Sequence, residues 1–579
     1  MSATIFTYRL RPPVGLEKTL MKELKSLNLV NSKPRKLTGR KIIEVQGPEE
    51  SLWKMMHKSR IAEDIQVRMT QPFRARGEKE LEQNLEKLPW HCYLPNPQQQ
   101  QEHMFKMPQT RAKTHSSKLY HTQLIRDILI KSMTEIQIKR DFKISLLKGM
   151  NGKGPQNMPY KQFKKQWLEK KERKEQDDID RRVKEKIQES DDEEENTIDI
   201  DGHTIESTQI ESEGKGRRKI KTLDEIKAEL KSKIEFKKNL KTISRIQINI
   251  VKDRGEILVG TSYEDLHKHG YKPFVRWGVL KETLTAACIL ESNIIAKANH
   301  TGKLYLWDPF CGSGSFLIET LMMILEQPVR NFDGNLPFQY WPVHQREQYE
   351  KFKEELNDYQ KMVKKDQIDI QIIGSDVSQK AIETSIKNCD HSDIEKLIQR
   401  GLVAPRLRGF INNPMIFSSH WPKYSYDENG EAATSVLMDF KQTDRNQLLS
   451  LYQGDFQSIG SQLASLTENF QDFTILTNVP YGEQSKEKQR HTDTDLQNIY
   501  RRFGKFIRNY PSLEKNTFVL AQSHHYGHKL SFEKFSNCGW SKELNFSNGG
   551  LSVHLLKFDM SQVSEVKQTL QAYKEIAAM

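Results

Sequence analysis

The sequence predicts an α/β fold for the C-terminal half of the chain, with a doubly wound, mostly parallel sheet, preceded by a smaller α+β module. Three observations predict it: a strand, glycine-rich turn and helix over Leu304–Glu319, a second strand that ends at Asp376, and a third, apolar strand within Phe473–Gln484. Strands that alternate with helices form parallel sheets, because each crossover helix returns the chain to the same edge.

The excess of basic residues lies entirely in the first quarter of the chain. The 579 residues include 90 Lys and Arg against 77 Asp and Glu, a net charge of +13. Residues 1–150 hold 28 basic and 15 acidic residues, whereas residues 151–240 and 241–579 each sum to zero. A phosphate backbone binds such a region because each neutralised phosphate releases counterions. The charge therefore favours a nucleic-acid partner for residues 1–150; a basic face that only aids solubility is the alternative.

The rest of the composition narrows the class of protein. No apolar stretch approaches the roughly 18 residues that a membrane span needs. The five cysteines form no CxxC pair, which argues against a zinc site and a disulfide framework. We expect a protein with no membrane or metal partner in the cytoplasm or nucleus, and an uncleaved organellar signal stays open.

Two segments are expected to lie outside the folded core. Residues 146–240 are rich in charge and poor in large apolar side chains, so they are predicted to be a largely disordered insert. A second insertion is predicted at about 400–445.

The glycine-rich turn is the first element with a chemical signature. Gly312 and Gly314 let the backbone approach a ligand at the helix N-terminus, and Asp308 ends the preceding strand. The third glycine of the dinucleotide GxGxxG pattern is missing, and no P-loop Lys-Ser/Thr follows. The turn is therefore not built for a triphosphate.

Two further acids follow later strands. Asp376 is placed to accept hydrogen bonds from a ribose diol, although it lies 62 residues after Gly314 instead of about 20. The intervening Arg330–Lys365 is predicted to be an extra loop and helix. Asp455 sits where an acid reaches an adenine amino group, and an ordinary Asp that caps a turn is the alternative.

The third strand delivers Asn478, Val479, Pro480 and Tyr481 to its C-terminal end. The exocyclic amine of a nucleobase is a poor nucleophile because its lone pair is delocalised into the ring. An Asn oxygen and the following backbone carbonyl each accept one N–H and orient the nitrogen towards an electrophilic methyl group. An aromatic beside them stacks a base that has left its duplex. A simple turn is the alternative reading of this segment alone.

Together these motifs resemble a known family. Asp308–Ser315, Gly374–Asp376 and Asn478–Glu483 resemble the S-adenosylmethionine-dependent methyltransferases that carry an N-terminal THUMP domain. The chain is most similar to the bacterial large-subunit (23S) rRNA guanine N2 methyltransferase domain and its eukaryotic tRNA and snRNA relatives. The likeness extends to Gly15–Leu27, the opening helix of a ferredoxin-like domain, and to Asn548–Leu551, a closing antiparallel hairpin.

The resemblance implies a domain order. It gives a ferredoxin-like domain at 1–70, a THUMP domain at 71–272 that the insert interrupts, and a Rossmann-like class I methyltransferase domain at 273–579.

The resemblance also implies site roles. The cofactor S-adenosylmethionine would meet Asp376 at its ribose, Asp455 at its adenine, and the turn at its methionine end, and the target guanine would meet a second group of residues. The turn residues implied are Asp308, Phe310, Gly312, Ser313 and Gly314, and the guanine site comprises Asn478, Pro480 and Tyr481. The family usually has Pro where this chain has Val479, and we expect a less rigid loop there.

The leading hypothesis is an enzyme that methylates the N2 amine of a guanosine in structured RNA. Large-subunit rRNA is favoured, with tRNA or snRNA as alternatives, and DNA is not expected. Some relatives need a small activating protein, which would be a second partner. A catalytically weak RNA-binding or ribosome assembly factor and an adenine or DNA amino-methyltransferase are the other readings.

Overall fold

The computed structural model describes most of the chain. The described residues are 4–29, 34–37, 41–94, 108–150, 158–173, 244–262, 265–274, 280–329, 336–362, 368–392, 449–481, 493–522 and 532–561. The predicted insertion at about 400–445 lies outside them. Of the predicted insert at 146–240, only residues 146–150 and 158–173 are described.

By its contacts the chain divides into two compact units. The first comprises Met1–Gln66, Asp265–Gly334 and Gln345–Met579, and the second comprises Val67–Glu264 and Asn335–His344. The domain boundaries expected from the sequence stay a prediction.

The N-terminal part of the first unit is a small α+β layer. Its strands pair in the order β2-β3-β1-β4, with β1 antiparallel to β3 and β3 antiparallel to β2. Its helices bury apolar residues four positions apart, which places them on one helical face. The elements are β1 (Phe6–Arg11), α1 (Glu17–Ser26), β2 (Arg35–Lys36), β3 (Ile43–Gly47), α2 (Glu49–Lys58) and β4 (Asp64–Arg68).

The second unit contains a three-stranded ladder β8-β7-β6, with β5 paired to β8. β7 and β8 form a hairpin whose turn residues, Lys252 and Asp253, have φ of 50° and 59°. These values suit the twist of a two-residue hairpin. The elements are β5 (Phe73–Arg74), α3 (Glu78–Glu86), β6 (Thr110–His115), α4 (Thr122–Met150), the helical residues 160–173 (α5), β7 (Ile246–Val251) and β8 (Arg254–Gly260).

The remainder of the first unit alternates strands with helices as the sequence predicts. Its helices are α6 (Glu282–Ser292), α7 (Ile294–Thr301), α8 (Ser315–Ile324), α9 (Arg346–Met362), α10 (Gln379–His391), α11 (Phe456–Leu466), α12 (Asp493–Arg508) and α13 (Phe532–Ser536). Its strands are β9 (Lys303–Asp308), β10 (Asp369–Asp376), β11 (Leu449–Gln453), β12 (Phe473–Asn478), β13 (Thr517–Gln522), β14 (Trp540–Asn548) and β15 (Leu551–Phe558).

These strands form one sheet in the order β11-β10-β9-β12-β13-β15-β14. The pairs from β11 to β13 are parallel, and the hairpin of β14 and β15 closes the sheet antiparallel to β13. The doubly wound sheet and its closing hairpin are therefore confirmed. The strand order reverses between β9 and β12, and such a switch point is where open α/β sheets bind ligands.

Aromatic packing fixes the sheet on its helices. Trp307 in β9 stacks on Phe470 with 5.6 Å between ring centroids, and the Phe506 ring meets it edge-on at 5.8 Å. In β10, a Cβ at Gly374 would lie 2.4 Å from Leu317 Cδ1, so only glycine lets α8 lie this close. Among the described helices, none combines the length and apolarity needed to cross a bilayer.

Candidate active site

The glycine-rich turn between β9 and α8 takes a shape that depends on its glycines. Gly312 and Gly314 have φ of +56° and +78°, the left-handed region that side chains disfavour. A Cβ at Gly314 would also lie 3.2 Å from Ser385 Oγ. Among the described residues, a Cβ at Gly312 would meet only the Phe310 carbonyl, at 4.0 Å, so no other described atom crowds this position.

Helix α10, which follows the neighbouring strand β10, hydrogen-bonds the backbone of the turn. Ser385 Oγ donates to the Gly312 carbonyl at 2.9 Å, and Asn388 Nδ2 donates to the Ser313 carbonyl at 3.0 Å. Sequence reasoning missed both residues. Their spacing of three positions on a helix that follows Asp376 was the available signal, because polar residues on a buried face need partners.

Asp376 joins the turn to the end of β10. Its Oδ2 accepts the Gly312 N–H at 3.1 Å, and its Oδ1 accepts the Ser378 N–H at 2.8 Å. The Cys311 N–H donates to the Ser375 carbonyl at 2.9 Å. The structure thus brings together two predicted site residues that are 64 positions apart in the chain.

Asp308 lies at the switch point between β9 and β12. Its carboxyl is 1% exposed and accepts hydrogen bonds from Thr477 Oγ1 at 2.5 Å and from the Phe310 N–H at 3.2 Å. Burial raises the pKa of Asp308 to about 7, and the nearby negative charge of Asp376 adds to the effect. A buried carboxyl poised near neutrality favours a cationic ligand beside it.

The segment after β12 is fixed by hydrogen bonds at two backbone positions. The Val479 N–H donates to the Leu520 carbonyl at 3.2 Å, and Tyr500 OH donates to the Pro480 carbonyl at 2.6 Å. The Val479 side chain is 1% exposed. Tyr500 was not singled out from the sequence, because nothing there shows which loop it faces.

The side-chain oxygen of Asn478, at the end of β12, is a hydrogen-bond acceptor at this edge of the sheet. This oxygen, Oδ1, is buried and has no hydrogen-bond partner among the described residues. The Tyr481 hydroxyl accepts from Asn548 Nδ2 at 3.5 Å, and burial raises its pKa while the nearby Asn548 and Asn478 side chains oppose that rise. Because a buried acceptor without a partner costs free energy, its persistence at a sheet edge marks a ligand position.

Asp455 has a structural role in the described fold. It caps the N-terminus of α11, where its Oδ1 accepts the Gln457 N–H at 3.0 Å. Arg502 also donates to this oxygen, at 2.8 Å. The turn-capping alternative is therefore what the structure displays, and contact with adenine stays a prediction.

Phe310 contributes to the site mainly through its backbone. Its ring packs against Phe456 and Phe503, with centroid distances of 5.3 and 5.8 Å. The Phe310 side chain thus packs against the apolar core beside α11.

The residues present fit a cofactor that is cationic at one end and carries a ribose. Asp308 offers a buried carboxyl with no ion-pair partner in the described part of the chain, Gly312 is uncrowded among the described residues, and Asp376 ends the neighbouring strand. Asn478 Oδ1 lies at the end of β12, across the switch point. This arrangement can hold a donor and an acceptor molecule at one edge of the sheet.

Comparison with known proteins agrees with this geometry. Residues 269–404 match a family model described as "RMKL-like, methyltransferase domain". An uncharacterized protein of Dictyostelium discoideum is 25% identical, and the alignment covers 89% of this chain and 90% of that protein. The ribosomal RNA large subunit methyltransferase K/L of Shewanella pealeana is 30% identical over 149 residues, which cover 25% of this chain and only 20% of that enzyme.

Solved structures show the same fold. A crystal structure described as "a putative methyltransferase complexed with SAH" superposes with a TM-score of 0.56 at 18% identity, covering 96% of this chain and 99% of that one. A protein of Listeria monocytogenes described as "a predicted N6-adenine-specific DNA methylase" superposes with a TM-score of 0.54 at 15% identity, covering 95% of this chain and 96% of that one. Residues 269–404 are therefore similar to the methyltransferase domain of the RMKL-like family, and the described sheet has the fold of the methyltransferase structures that it matches.

Proposed function

We propose that this protein methylates the exocyclic N2 amine of a guanosine in structured RNA, most favourably large-subunit rRNA. The buried Oδ1 of Asn478, which has no hydrogen-bond partner among the described residues and lies beside Tyr481, carries the proposal. The name of the Shewanella pealeana relative supports rRNA as the substrate, and the basic residues 1–150 support an RNA partner.

The residues of the chain act on the amine by orientation. Asn478 Oδ1 accepts one N–H of the guanine amine, and the carbonyl of Val479 accepts the other, because Tyr500 already engages the carbonyl of Pro480. This pair turns the nitrogen lone pair away from the ring and fixes its direction. The Tyr481 ring stacks on the extruded base. S-adenosylmethionine, when bound, supplies the electrophilic methyl group.

The cofactor would be held on the other side of the switch point. Asp308 faces its cationic end, the backbone of Gly312, Ser313 and Gly314 lines its path, and Asp376 accepts from the ribose hydroxyls. No strong base is needed: the methyl carbon would bond to the amine nitrogen as its bond to the sulfonium sulfur breaks, S-adenosylhomocysteine would leave, and the methylated amine would then release its proton to water.

Methyl transfer to isolated RNA tests the proposal. Purified protein with labelled S-adenosylmethionine and deproteinised large-subunit rRNA, tRNA or snRNA should yield N2-methylguanosine by nucleoside mass spectrometry. Asn478→Ala should lower kcat by roughly 100-fold to 1000-fold, the usual effect of removing one preorganised polar group. The exposed Asn509→Ala is the matched control and should retain activity.

Other products would point elsewhere. N6-methyladenosine would replace guanine by adenine as the target. Retained RNA binding with no methyl incorporation on any RNA would favour the assembly-factor reading.

We further propose a cytoplasmic or nuclear location and a small activating protein as a second partner. Affinity purification of the tagged protein would identify such a partner. Methyl-transfer assays with the purified partner added back would show whether it activates the protein.

A further inference from the structure

Helix α12 carries three basic side chains on one side. Residues 496–513, which include most of this helix, contain four basic and no acidic side chains. At about 100° per residue, Arg501, Lys505 and Arg508 fall within an arc of about 60°, and Arg502 lies outside it. Arg501 and Lys505 are exposed, and Arg508 is half-buried. The row is about 10 Å long, which is enough for more than one phosphate of a nucleic-acid strand.

Two other surface helices of the first unit have a different charge pattern. In α10 the acidic and basic side chains are Lys380, Glu383, Lys387 and Asp390, two of each sign. In α9 there are four basic and five acidic side chains. Such mixed charge is typical of a solvated helix face. The charge of α12 is not balanced in this way and favours an anionic partner.

The short helix α13 fixes two of the cations of α12. The two helices are in close contact, because a Cβ at Gly504 would overlap the carbonyl oxygen of Ser536. The guanidinium carbon of Arg501 lies 5.1 Å from the centroid of the Phe535 ring. Arg508 Nη1 donates to the Ser536 carbonyl at 2.7 Å. Neither guanidinium group forms an ion pair within the described ranges, so both are held in place while their charge stays available to an anion.

The charged residues of α13 add to this surface. Glu533, the acid of this helix, has its Oε1 3.4 Å from Lys542 Nζ in β14. The neighbouring Lys534 is exposed, and its Nζ lies 5.8 Å from the centroid of the Phe535 ring. The negative charge of Glu533 is therefore balanced by Lys542, and Lys534 brings a fourth cation to the row.

Helix α12 also contacts the segment that holds the proposed guanine site. Tyr500, which precedes Arg501, donates from its hydroxyl to the Pro480 carbonyl at 2.6 Å. Pro480 lies two positions after Asn478, the proposed acceptor for the guanine amine. A base that leaves its helix stays attached to its own phosphate and to the neighbouring ones. Phosphates are therefore expected near α12 whenever a guanosine occupies this site.

We propose that Arg501, Lys505 and Arg508, together with Lys534, form a basic face that binds the backbone phosphates flanking the target nucleotide. The inference rests on the proposed function, because it takes an RNA base beside Asn478 as the target. It also extends that function. The charge count assigns phosphate binding to residues 1–150, whereas this face gives the catalytic part of the chain a phosphate contact of its own although residues 241–579 sum to zero.

Salt-dependent RNA binding by the full-length protein tests the assignment. The probe is an RNA hairpin whose loop contains one unpaired guanosine, titrated over a series of salt concentrations. In the double variant Arg501→Gln, Lys505→Gln, the slope of log affinity against log salt should fall by about 1 for each lost phosphate contact, or about 2 in total. The affinity near physiological salt should decrease by roughly 10-fold. Arg508 is left unchanged because it also holds the Ser536 carbonyl.

A matched variant separates this face from general electrostatics. Lys351→Gln, Lys515→Gln removes the same charge from exposed positions of the first unit that form no ion pair among the described residues. Its slope should stay at the wild-type value. Equal decreases in both double variants would overturn the assignment. So would an unchanged slope in Arg501→Gln, Lys505→Gln, including the case in which this variant instead loses a protein partner that the wild type binds.

Uncharged phosphates in the probe locate the contact on the RNA. Methylphosphonate groups placed one at a time beside the loop guanosine should weaken binding by the wild type. Arg501→Gln, Lys505→Gln should be insensitive at those same positions, because the two changes then remove one shared interaction. If the positions at which only the wild type is sensitive lie in the stem, away from the guanosine, the face does not bind phosphates that flank the target.

Methyl transfer by the wild-type protein keeps this inference distinct from the proposed function. If the wild type methylates RNA while Arg501→Gln, Lys505→Gln keeps the wild-type slope, only the assignment of the basic face fails. If the basic face binds phosphates beside the guanosine but the wild type transfers no methyl group, only the proposed reaction fails. Thermal melting and calorimetry with S-adenosylmethionine should show that both double variants are folded.

Discussion

Two buried carboxylates near the glycine-rich turn differ in how their charge is balanced. Glu319, which is 0% exposed, accepts from Arg60 Nη1 at 2.6 Å and contacts His269 Nδ1 at 2.9 Å. Asp308, which is 1% exposed, accepts only from the neutral hydroxyl of Thr477 and the Phe310 N–H among the described residues. One carboxylate has its cations within the fold, and the other does not.

The pKa values follow from this difference. Burial opposes ionisation of both groups. At Glu319 burial is outweighed by the electrostatic and hydrogen-bond effects of His269 and Arg60, which hold the pKa at about 2. At Asp308 burial prevails and raises the pKa to about 7. A buried carboxylate with a cationic partner has its charge balanced within the fold, whereas one without a cationic partner is available to a cationic ligand.

Removing Arg60, the cation beside Glu319, should give the largest effect on stability. Arg60→Met leaves Glu319 buried with half of its partners and should destabilise the packing of the N-terminal layer on α8 by about 3–5 kcal/mol. Hydrogen exchange of the α8 amides would measure this change. Adding Glu319→Gln to Arg60→Met should recover part of the protection, because no unpaired charge then remains. Wild-type protection in Arg60→Met would show that the ion pair does not hold the two elements together.

Asp308, which has no cationic partner among the described residues, should make cofactor binding depend on pH. Below about pH 7 the ligand-free protein keeps a proton on Asp308 that the unfolded chain releases near pH 3.8. This group therefore favours the folded state at low pH, and its contribution is lost as pH rises towards 7. A cationic cofactor prefers the carboxylate, so its affinity should rise with pH through this window, by at most about 10-fold per pH unit.

Calorimetry in buffers of different ionisation enthalpy would measure the affinity and the released proton together. Asp308→Asn should bind weakly and without this pH dependence. If the wild-type affinity for the cofactor stays constant from about pH 5.5 to about pH 8.5, ionised Asp308 does not contribute to binding the cationic end of the cofactor.

The sequence could predict where the main site residues meet. The carboxyl ends of parallel strands share one edge, so Asp308, Asp376 and Asn478 had to converge once their strands were recognised. The hydrogen bonds that hold the turn and these residues in place could not be predicted. Ser385 reaches Gly312 across 73 positions, and periodicity indicates a buried face but not the partner on it.

Two particular residues show the same limit. From the sequence, Val479 in place of Pro suggests a less rigid loop. The structure instead gives Val479 a hydrogen bond from its N–H to Leu520, which proline could not donate, and a buried side chain. The ion pair of Arg60 with Glu319 could not be predicted either, because two residues 259 positions apart leave no local pattern in the sequence.

The smallest predicted effect concerns the neutral donor to Asp308. Thr477→Val keeps the size of the side chain but removes the hydroxyl that donates to Asp308 Oδ1 and lowers its pKa. The pKa should rise further, moving the midpoint of the pH-dependent cofactor affinity upward by less than about 1 unit, or about 1 kcal/mol. Thr517→Val is the matched control, since Thr517 is equally buried but donates to the Leu513 carbonyl. A midpoint that moves equally in both variants would mean that core packing tunes Asp308, whereas a shift confined to Thr477→Val would show that one hydroxyl across the switch point sets how readily this carboxyl ionises.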